Sequence, residues 1–205
     1  MIAIDELHWL TGPEIRHRPL PGGASMPIRR CLVIHFTAGA SAASSIDFWQ
    51  TPAAKGASAH LVIDRDGTIY QCRPFDRTAG HAGVSKWADP KTGRQFSGLN
   101  SCTIGIELAN AGNKDVKWAR EQPGYATLRA AHRNGGRATD WEIYPAAQLA
   151  ACEAVSKLLV ARYNLDDITG HDCIAPTRKT DPGPAFPMGS LRAACGFSGL
   201  PAVHR

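Results

Sequence analysis

Arg30–Phe36, with the sequence RCLVIHF, is a short apolar run that contains β-branched residues and predicts a buried strand. Positions 60–73 read HLVIDRDGTIYQCR, in which two alternating runs flank Asp66 and Gly67. This pattern is typical of a β-hairpin, because glycine tolerates the positive φ that a tight turn demands. Together the two segments predict a central β-sheet.

A further strand is predicted at Thr103–Leu108, TIGIEL. Because side chains alternate across a strand, Ile104, Ile106 and Leu108 would share one face and Glu107 would point to the other. A charged residue within an apolar strand is costly unless it is paired or used. Glu107 is therefore a candidate functional residue, and the alternative is a solvated face on an edge strand.

Three segments favour helix. Ser41–Trp49 is rich in serine and alanine with helical spacing of its apolar residues, and Leu191–Cys195 is expected to form one last turn. Pro145–Tyr163 is the strongest pattern, because proline is tolerated at the first helical position and an apolar stripe follows it. The stripe consists of Leu149, Cys152, Val155, Leu159 and Tyr163.

Strands and helices are mixed along the chain, so residues 1–205 are expected to form a single α/β domain with a central, mostly mixed β-sheet flanked by helices. The core is expected at about 28–195, behind a loop-rich lead-in at 1–27. Residues 111–144 lack a sustained period and are interpreted as a long excursion near a functional cleft. Thr169–Pro184 is predicted to be irregular.

The composition is that of a globular protein, with 43% hydrophobic and 20% charged residues. The 23 Lys and Arg against 18 Asp and Glu leave a net charge of +5, which favours nucleic acid, an anionic membrane or a polyanionic cell wall as partner. The basic residues are dispersed and no nucleic-acid motif stands out, so no nucleic-acid partner is expected. The six scattered cysteines contain no CxxC pair and are interpreted mostly as buried free thiols.

The N-terminal segment Met1–Leu10 contains acidic residues and lacks the basic start and apolar stretch of a secretory signal. No apolar run approaches the length of a membrane span. We therefore expect a monomer that is synthesised in the cytoplasm, without a signal peptide or an integral membrane segment.

Positions 170–184, GHDCIAPTRKTDPGP, place His, Asp, Cys, Arg and Lys between prolines and glycines. Prolines stiffen a loop, so these side chains are held still without regular structure. Catalytic zinc takes three protein ligands and keeps a fourth position for water. His171 and Asp181, with His35 from the end of the first strand, would supply two imidazoles and a carboxylate. Taken alone, His35 would be interpreted as a hydrogen-bonded structural histidine.

Two residues are candidates for catalysis at such a site. Glu107 would accept a proton from a zinc-bound water. Lys179, two residues before Asp181, would stabilise the oxyanion that forms when water attacks a carbonyl. By itself, Lys179 could equally be a surface lysine.

Five blocks of the sequence resemble the N-acetylmuramoyl-L-alanine amidases, zinc amidases related to peptidoglycan recognition proteins, phage lysozyme-like amidases and the cytosolic muropeptide-recycling amidase. The blocks follow the family's order from about Arg30 to Phe186, and the final one is the most specific. They are IHFTAG at 34–39, SAHLVIDRDGTIYQ at 58–71, FDRTAGHAGVS at 75–85, GIELAN at 105–110 and GHDCIAPTRKTDPGPAF at 170–186.

This resemblance implies an amidase-like fold, a Zn²⁺ cofactor and hydrolysis of the amide between N-acetylmuramic acid and L-alanine. The matching residues are His35, His171 and Asp181 for the zinc ligands, Glu107 for the catalytic carboxylate and Lys179 for the transition-state lysine. Other members use cysteine as a ligand at the position of Asp181, which disfavours the nearby Cys173 as a ligand here.

The resemblance also bears on substrate contacts. Arg178 lies where a contact to the stem peptide or sugar is expected, and His81 in the AGHAG block is a second candidate for substrate binding. His81 could equally be a structural histidine. Some relatives carry a catalytic tyrosine just before the histidine of the SxH block, where this chain has Ala59, so the proton-handling role falls on Glu107.

The expected biological role is lysis of peptidoglycan in the periplasm by an endolysin-like enzyme, because both the whole chain and residues 111–144 are basic. One alternative is a cytosolic recycling amidase that acts on anhydro-muropeptides. Another is a non-catalytic peptidoglycan-binding protein. The second is disfavoured, since all the candidate ligands and both catalytic candidates are present.

Overall fold

The computed structural model describes residues 2–204, and short β-strands occur along most of that range. In chain order the strands are β1 (Ala3–Ile4), β2 (Leu10–Thr11), β3 (Ile15–His17), β4 (Cys31–Phe36), β5 (Leu61–Ile63), β6 (Ile69–Gln71), β7 (Lys86–Ala88), β8 (Gln95–Ser97), β9 (Thr103–Leu108), β10 (Thr127–Ala130), β11 (Thr139–Glu142) and β12 (Asp167–Gly170).

Six of these strands form the central sheet, in the order β12-β4-β9-β5-β6-β3. Neighbouring strands are parallel except β5 and β6, which pair antiparallel as the predicted hairpin. Gly67 occupies the hairpin turn with φ 89°, a conformation that favours glycine. The mixed sheet expected from the sequence is confirmed.

The helices are α1 (Ala42–Trp49), α2 (Lys117–Arg120), α3 (Ala146–Tyr163), α4 (His171–Ile174) and α5 (Met188–Ala194). Ser41 caps α1, because its hydroxyl accepts a hydrogen bond from the Ser44 backbone N–H. The helix α3 starts after Pro145 and ends at Asn164, which adopts a left-handed conformation. The three predicted helices are therefore present, and the last is longer than the single turn expected.

Both faces of the sheet are covered. On one face, alternate residues of β4 and β9, such as Leu32 and Ile106, pack with Val155 and Leu159 of α3 in the main hydrophobic core. On the other face, Val33 packs in a smaller cluster around the buried Trp87. Cys31, Val33 and His35 alternate with the core residues of β4, so the candidate site faces away from α3.

The neighbouring parallel strands β12, β4 and β9 have their carboxyl ends on the same side of the sheet. His35 pairs with Glu107 in the register of β4 and β9, and Gly170 at the end of β12 pairs with Ile34. The chain then enters α4, which begins at His171. Functional sites often form at the carboxyl ends of parallel strands. The sheet topology places His35, Glu107 and His171 at these ends.

The N-terminal segment differs from its expected role as a loop-rich lead-in. It contributes β3 to the central sheet, and Leu10, Ile15 and Met26 belong to the main core, so the core begins before residue 28. The buried side chain of Gln71 ties this segment to β6 by accepting from the Leu10 backbone N–H. The sequence did not predict these contacts because the apolar residues are separated by prolines and glycines.

Residues 111–144 contain α2 and the hairpin of β10 and β11 rather than a structureless excursion. Glu142 joins the two ends of this segment, because its carboxylate accepts a hydrogen bond from the Ala111 backbone N–H. The same carboxylate accepts hydrogen bonds from Arg65 in the β5–β6 turn. Gly112 lies so close to the Phe36 ring that a Cβ there would be 2.4 Å from it. The segment thus packs against the end of β4, beside the candidate site.

One other local prediction was wrong in part, and one role in α3 was not predicted. Thr169–Pro184 is not wholly irregular, because it starts in β12 and continues into α4. The buried side of α3 includes Gln148, whose amide donates to the Ile63 and Ala109 carbonyls, an anchoring role that the apolar stripe did not predict. Within residues 2–204, no helix combines the length and apolar character that a bilayer span requires.

Candidate functional site

Two imidazoles and one carboxylate converge at the carboxyl ends of β4 and β12. His35 Nδ1 lies 2.9 Å from His171 Nδ1 and 2.8 Å from Asp181 Oδ2, and His171 Nδ1 lies 2.9 Å from the same carboxylate oxygen. All three residues are buried. Side chains separated by as many as 146 positions in the chain therefore place three ligand atoms within bonding distance of one ion.

The partners of the far ring nitrogens accommodate the tautomers that metal binding at Nδ1 requires. His171 Nε2 lies 3.2 Å from the Ala82 carbonyl, to which an Nε2 proton would be donated, and 3.4 Å from Arg178 Nη2. His81 Nε2 lies 3.3 Å from the Thr103 carbonyl and donates to it in the same way. Neutral His81 then accepts at Nδ1, and His35 Nε2, 3.0 Å away, is the donor.

With the protons on Nε2, both Nδ1 atoms would present lone pairs next to an acceptor oxygen of Asp181. Three acceptors within 3 Å of one another are stabilised by a cation among them. Two neutral imidazoles and a carboxylate, each imidazole oriented by an outer hydrogen bond, are a donor set that suits catalytic Zn²⁺. The residues present therefore fit a zinc ion.

The pKa values of His35 and Asp181 both lie below their ordinary values, for different reasons. Burial, and then the neighbouring His171, lower the pKa of His35 to about 4. Burial alone would raise the pKa of Asp181, but the two imidazoles outweigh it and hold that pKa well below its ordinary value. The neutral imidazole and the ionised carboxylate are the forms that bind a metal.

Glu107 lies beside the cluster with an unsatisfied carboxylate. Its Oε2 is buried and has no hydrogen-bond partner in the described part of the chain. Burial, and then the charge of Asp181, raise the pKa of Glu107 to about 8, while the ammonium of Lys179 acts in the opposite direction. A carboxylate held in this way has a high affinity for a proton, which is the property of a general base.

All of the predicted site residues line one cleft of about 330 Å³. They are His35, His81, Glu107, His171, Arg178, Lys179 and Asp181. The cleft also includes Phe36, Thr37 and Ser58, which the sequence did not single out. Because the cleft is open to solvent, a substrate carbonyl can approach the cluster from this side.

Two residues expected to contact substrate are engaged within the protein. Both ring nitrogens of His81 are hydrogen bonded, as described above, and its ring packs against Gly105, where a Cβ would lie 2.5 Å away. The Arg178 Nη2 donates to the carbonyls of Ala82 and Val84 at 2.9 and 2.8 Å. Through these contacts, His81 and Arg178 hold residues 81–84 against the three candidate metal ligands.

Asn100 is a site residue that the sequence did not indicate. Its Oδ1 accepts from the backbone N–H groups of His81 and Ala82, at 3.1 and 2.7 Å, and so fixes the same loop from the opposite side. No local pattern marks such an asparagine. Cys173 lies outside the ligand cluster, because its Sγ contacts Arg133 Nη1 at 3.1 Å and the Asp172 carboxylate at 3.3 Å.

His60 supports the sheet beneath this site. Its Nδ1 accepts from the Gly105 backbone N–H and its Nε2 donates to the Arg77 carbonyl. Burial lowers the pKa of His60 to about 4. Since the unfolded chain binds a proton near pH 6.5 and the folded chain does not, this residue stabilises the fold above pH 6.5 and its contribution is lost as the pH falls toward 4.

We expect the free energy of unfolding of the zinc-free protein to fall between pH 7 and pH 5, with a contribution of about 2 kcal/mol from His60. Urea denaturation at the two pH values measures the change. The His60→Gln variant should show a smaller pH dependence than the unaltered protein, whatever its absolute stability. An identical pH dependence in both proteins would show that His60 does not titrate in this way.

The sequence pattern of the N-acetylmuramoyl-L-alanine amidases, Amidase_2, matches residues 24–184. The chain belongs to this family. Its members are generally zinc-dependent, which agrees with the donor chemistry of the cluster.

Two bacterial amidases and a solved complex illustrate the relationship. The chain is 38% identical over 143 residues to the 1,6-anhydro-N-acetylmuramyl-L-alanine amidase AmpD of Salmonella typhimurium, a match to 69% of this chain and 58% of that protein. It is 30% identical over 194 residues to the N-acetylmuramoyl-L-alanine amidase AmiD of Escherichia coli, covering 89% of this chain and 58% of AmiD. The match thus spans less than two thirds of either amidase.

The fold is similar to that of E. coli AmiD in its complex with anhydro-N-acetylmuramic acid-L-Ala-D-γ-Glu-L-Lys. The TM-score is 0.62 at 26% sequence identity, and the superposition covers 97% of this chain and 66% of the AmiD chain. This similarity confirms the amidase-like α/β fold that the resemblance implied.

Proposed function

We propose that this protein is a zinc-dependent N-acetylmuramoyl-L-alanine amidase. The observation that carries the proposal is the convergence of His35, His171 and Asp181, whose ligand atoms lie within 3 Å of one another, beside Glu107, whose buried Oε2 has no partner in the described residues. This arrangement is what a metal-assisted amide hydrolysis needs: ligands, a base and an open approach. A purely wall-binding module has no use for Glu107 in this position.

His35, His171 and Asp181 would hold the zinc ion, which would polarise the scissile carbonyl and acidify a water molecule. Glu107 takes the proton from the attacking water and later delivers it to the leaving amine of L-alanine. Lys179, on the wall of the same cleft, stabilises negative charge on the former carbonyl oxygen. Arg178 and His81 keep the surrounding loop and the ligands in place.

The proposed substrate is a soluble 1,6-anhydro-muropeptide, so the protein would act as a recycling amidase in the cytoplasm. AmpD is named for the 1,6-anhydro substrate, and the AmiD complex contains an anhydro-muramyl peptide. The lytic, endolysin-like role expected from the basic charge lacks comparable support from these relatives. The recycling alternative is therefore preferred over the original expectation.

Mass spectrometry of the products distinguishes these roles. The zinc-loaded protein is incubated with soluble anhydro-muropeptide and, in parallel, with intact sacculi. Release of the free stem peptide from the soluble substrate, at a rate well above that from sacculi, is expected. Faster release from sacculi would favour the lytic role, and release from neither would contradict the amidase proposal.

His81 is expected to affect zinc binding rather than substrate binding, because it accepts the Nε2 proton of His35. Outer hydrogen-bond partners of metal ligands typically change metal affinity by about 10- to 100-fold. His81→Ala should therefore raise the zinc dissociation constant by about that factor, measured by competition with a chromophoric chelator. Unaltered zinc affinity together with a raised KM would support the substrate contact inferred from the sequence.

A further inference from the structure

Asp172 connects the two candidate metal ligands of the 170–184 loop. It follows His171 in the chain, and its backbone N–H donates to the Asp181 carbonyl at 2.7 Å. The residue is buried and lines a pocket of about 280 Å³ that is separate from the candidate catalytic cleft. A displacement of Asp172 would therefore move His171 and Asp181 relative to each other, although Asp172 does not line the cleft.

Two residues of the loop between β10 and β11 hold Asp172. His132 Nε2 lies 3.2 Å from Asp172 Oδ2, and the Asn134 side-chain amide donates to the Asp172 carbonyl at 2.7 Å. The Asn134 backbone N–H donates to His132 Nδ1 at 3.1 Å. Because Nδ1 accepts this hydrogen bond, the ring proton is on Nε2, and His132 donates it to the Asp172 carboxylate.

The Asp172 carboxylate depends on this donor. Both side chains of the pair are buried, with 7% of each exposed. The other donor to the carboxylate within residues 2–204 is the Cys173 thiol, 3.3 Å from Oδ1, and a thiol is a weak donor. Because a buried oxygen without a donor is costly, the carboxylate is expected to shift when the His132 N–H is removed.

A second contact of the same segment lies beside Asp181. The His132 ring lies against Trp141 of β11, at 5.7 Å between ring centroids. Trp141 packs in turn on Gly183, two residues after Asp181, where a Cβ would lie 2.6 Å from the indole ring. Residues 132–141 thus contact the 170–184 loop next to both ligands, which fits a role in setting the separation of these ligands.

We propose that His132 is a positioning residue for the metal site: by holding Asp172, it keeps His171 and Asp181 at the separation that one ion requires. The inference rests on the proposed zinc-dependent function. His132 does not line the cleft and is not one of the candidate ligands, so it contacts neither the substrate nor the metal. Its influence on zinc binding therefore passes through Asp172.

His132→Phe keeps a ring against Trp141 but removes the N–H donor. It should raise the zinc dissociation constant about tenfold, the lower end of the range for outer partners of metal ligands, because His132 is one residue further from the metal than such a partner. Competition with a chromophoric chelator measures this change. Co²⁺ bound in place of zinc should also show shifted visible absorption bands, because these bands depend on the geometry of its ligands.

His132→Gln is the conservative variant, because its side-chain amide can place an N–H donor near the position of Nε2. It should restore the zinc affinity and the cobalt spectrum of the unaltered protein. In an Asp172→Ala background, His132→Phe should cause no further loss of zinc affinity, since the residue acts through Asp172. Arg137→Gln is the matched control, because Arg137 is exposed in the same loop and does not line the cleft. It should leave both readouts unchanged.

A folded His132→Phe protein with unchanged zinc affinity and an unchanged cobalt spectrum overturns the proposal. A further loss of zinc affinity in the Asp172→Ala background overturns it as well. If His132→Phe does not fold, Asn134→Ala decides, because it removes the second contact to Asp172. Weaker zinc binding by that variant supports the proposal, and unchanged zinc binding overturns it.

These readouts do not depend on hydrolysis, so the inference and the proposed function can fail separately. If the protein binds zinc but cleaves no muropeptide, the amidase proposal fails, and weaker zinc binding by His132→Phe still supports the positioning role. If hydrolysis occurs and His132→Phe binds zinc as the unaltered protein does, the amidase proposal stands and the positioning role fails.

Discussion

Asp181→Ala is expected to abolish stoichiometric zinc binding and, with it, amide hydrolysis. Asp181 is the one anionic ligand of the cluster, and its carboxylate oxygen lies within 2.9 Å of both imidazole Nδ1 atoms. Loss of a direct ligand should weaken zinc binding by more than the roughly 100-fold upper range of outer-shell partners. Elemental analysis after dialysis against trace zinc measures the occupancy.

Asp140→Ala serves as the control for this experiment, because Asp140 is an exposed carboxylate on β11 that pairs with Arg129. It should retain one zinc ion per chain. Circular dichroism confirms that the Asp181 variant is folded. Full zinc occupancy in a folded Asp181→Ala protein would remove Asp181 from the ligand set.

Glu107→Gln is expected to reduce kcat by about 10²- to 10⁴-fold while zinc stays bound, the range typical of a lost general base. Glutamine keeps the size of the side chain but cannot accept the proton from the attacking water. The buried Oε2 of Glu107 has no partner in the described residues, so the substitution breaks no existing hydrogen bond of that atom. Steady-state hydrolysis of the anhydro-muropeptide, with zinc content measured on the same sample, tests both parts.

Glu153→Gln is the companion variant, since Glu153 is a half-buried residue on α3 that pairs with Lys157, away from the cleft. Its kcat and its zinc content should equal those of the unaltered protein. Near-normal hydrolysis by Glu107→Gln would mean that another group accepts the proton. A loss of zinc in Glu107→Gln would instead give Glu107 a role in holding the metal.

Patterns within short segments predicted much of the fold. The alternation in 60–73 and 103–108, and the stripe in α3, reflect side-chain burial that neighbouring residues largely determine. The strand β12 was not predicted, because Asp167 interrupts its apolar character. In the structure, the Asp167 carboxylate is buried and accepts from Trp87 and Arg192, which are distant in sequence. Such compensation is invisible to a local pattern.

In the candidate site, too, some residues could be predicted from local sequence patterns and others could not. His35, Glu107 and the 170–184 loop could be singled out because polar residues interrupted an apolar strand or gathered in a rigid loop. The ligand and base roles proposed for them from residue chemistry were also implied by the family resemblance. The hydrogen bonds of Asn100 depend on loops that approach each other only in the folded chain. The sequence therefore indicates the reactive residues better than the residues that hold them in position.

The most direct test of this account is anomalous X-ray diffraction, at the zinc absorption edge, from crystals grown with one equivalent of zinc. We predict a single strong peak at bonding distance from His35 Nδ1, His171 Nδ1 and Asp181 Oδ2, at about 2.0–2.2 Å from each. A peak coordinated by other side chains, or no peak at this cluster in crystals that contain zinc, would contradict it.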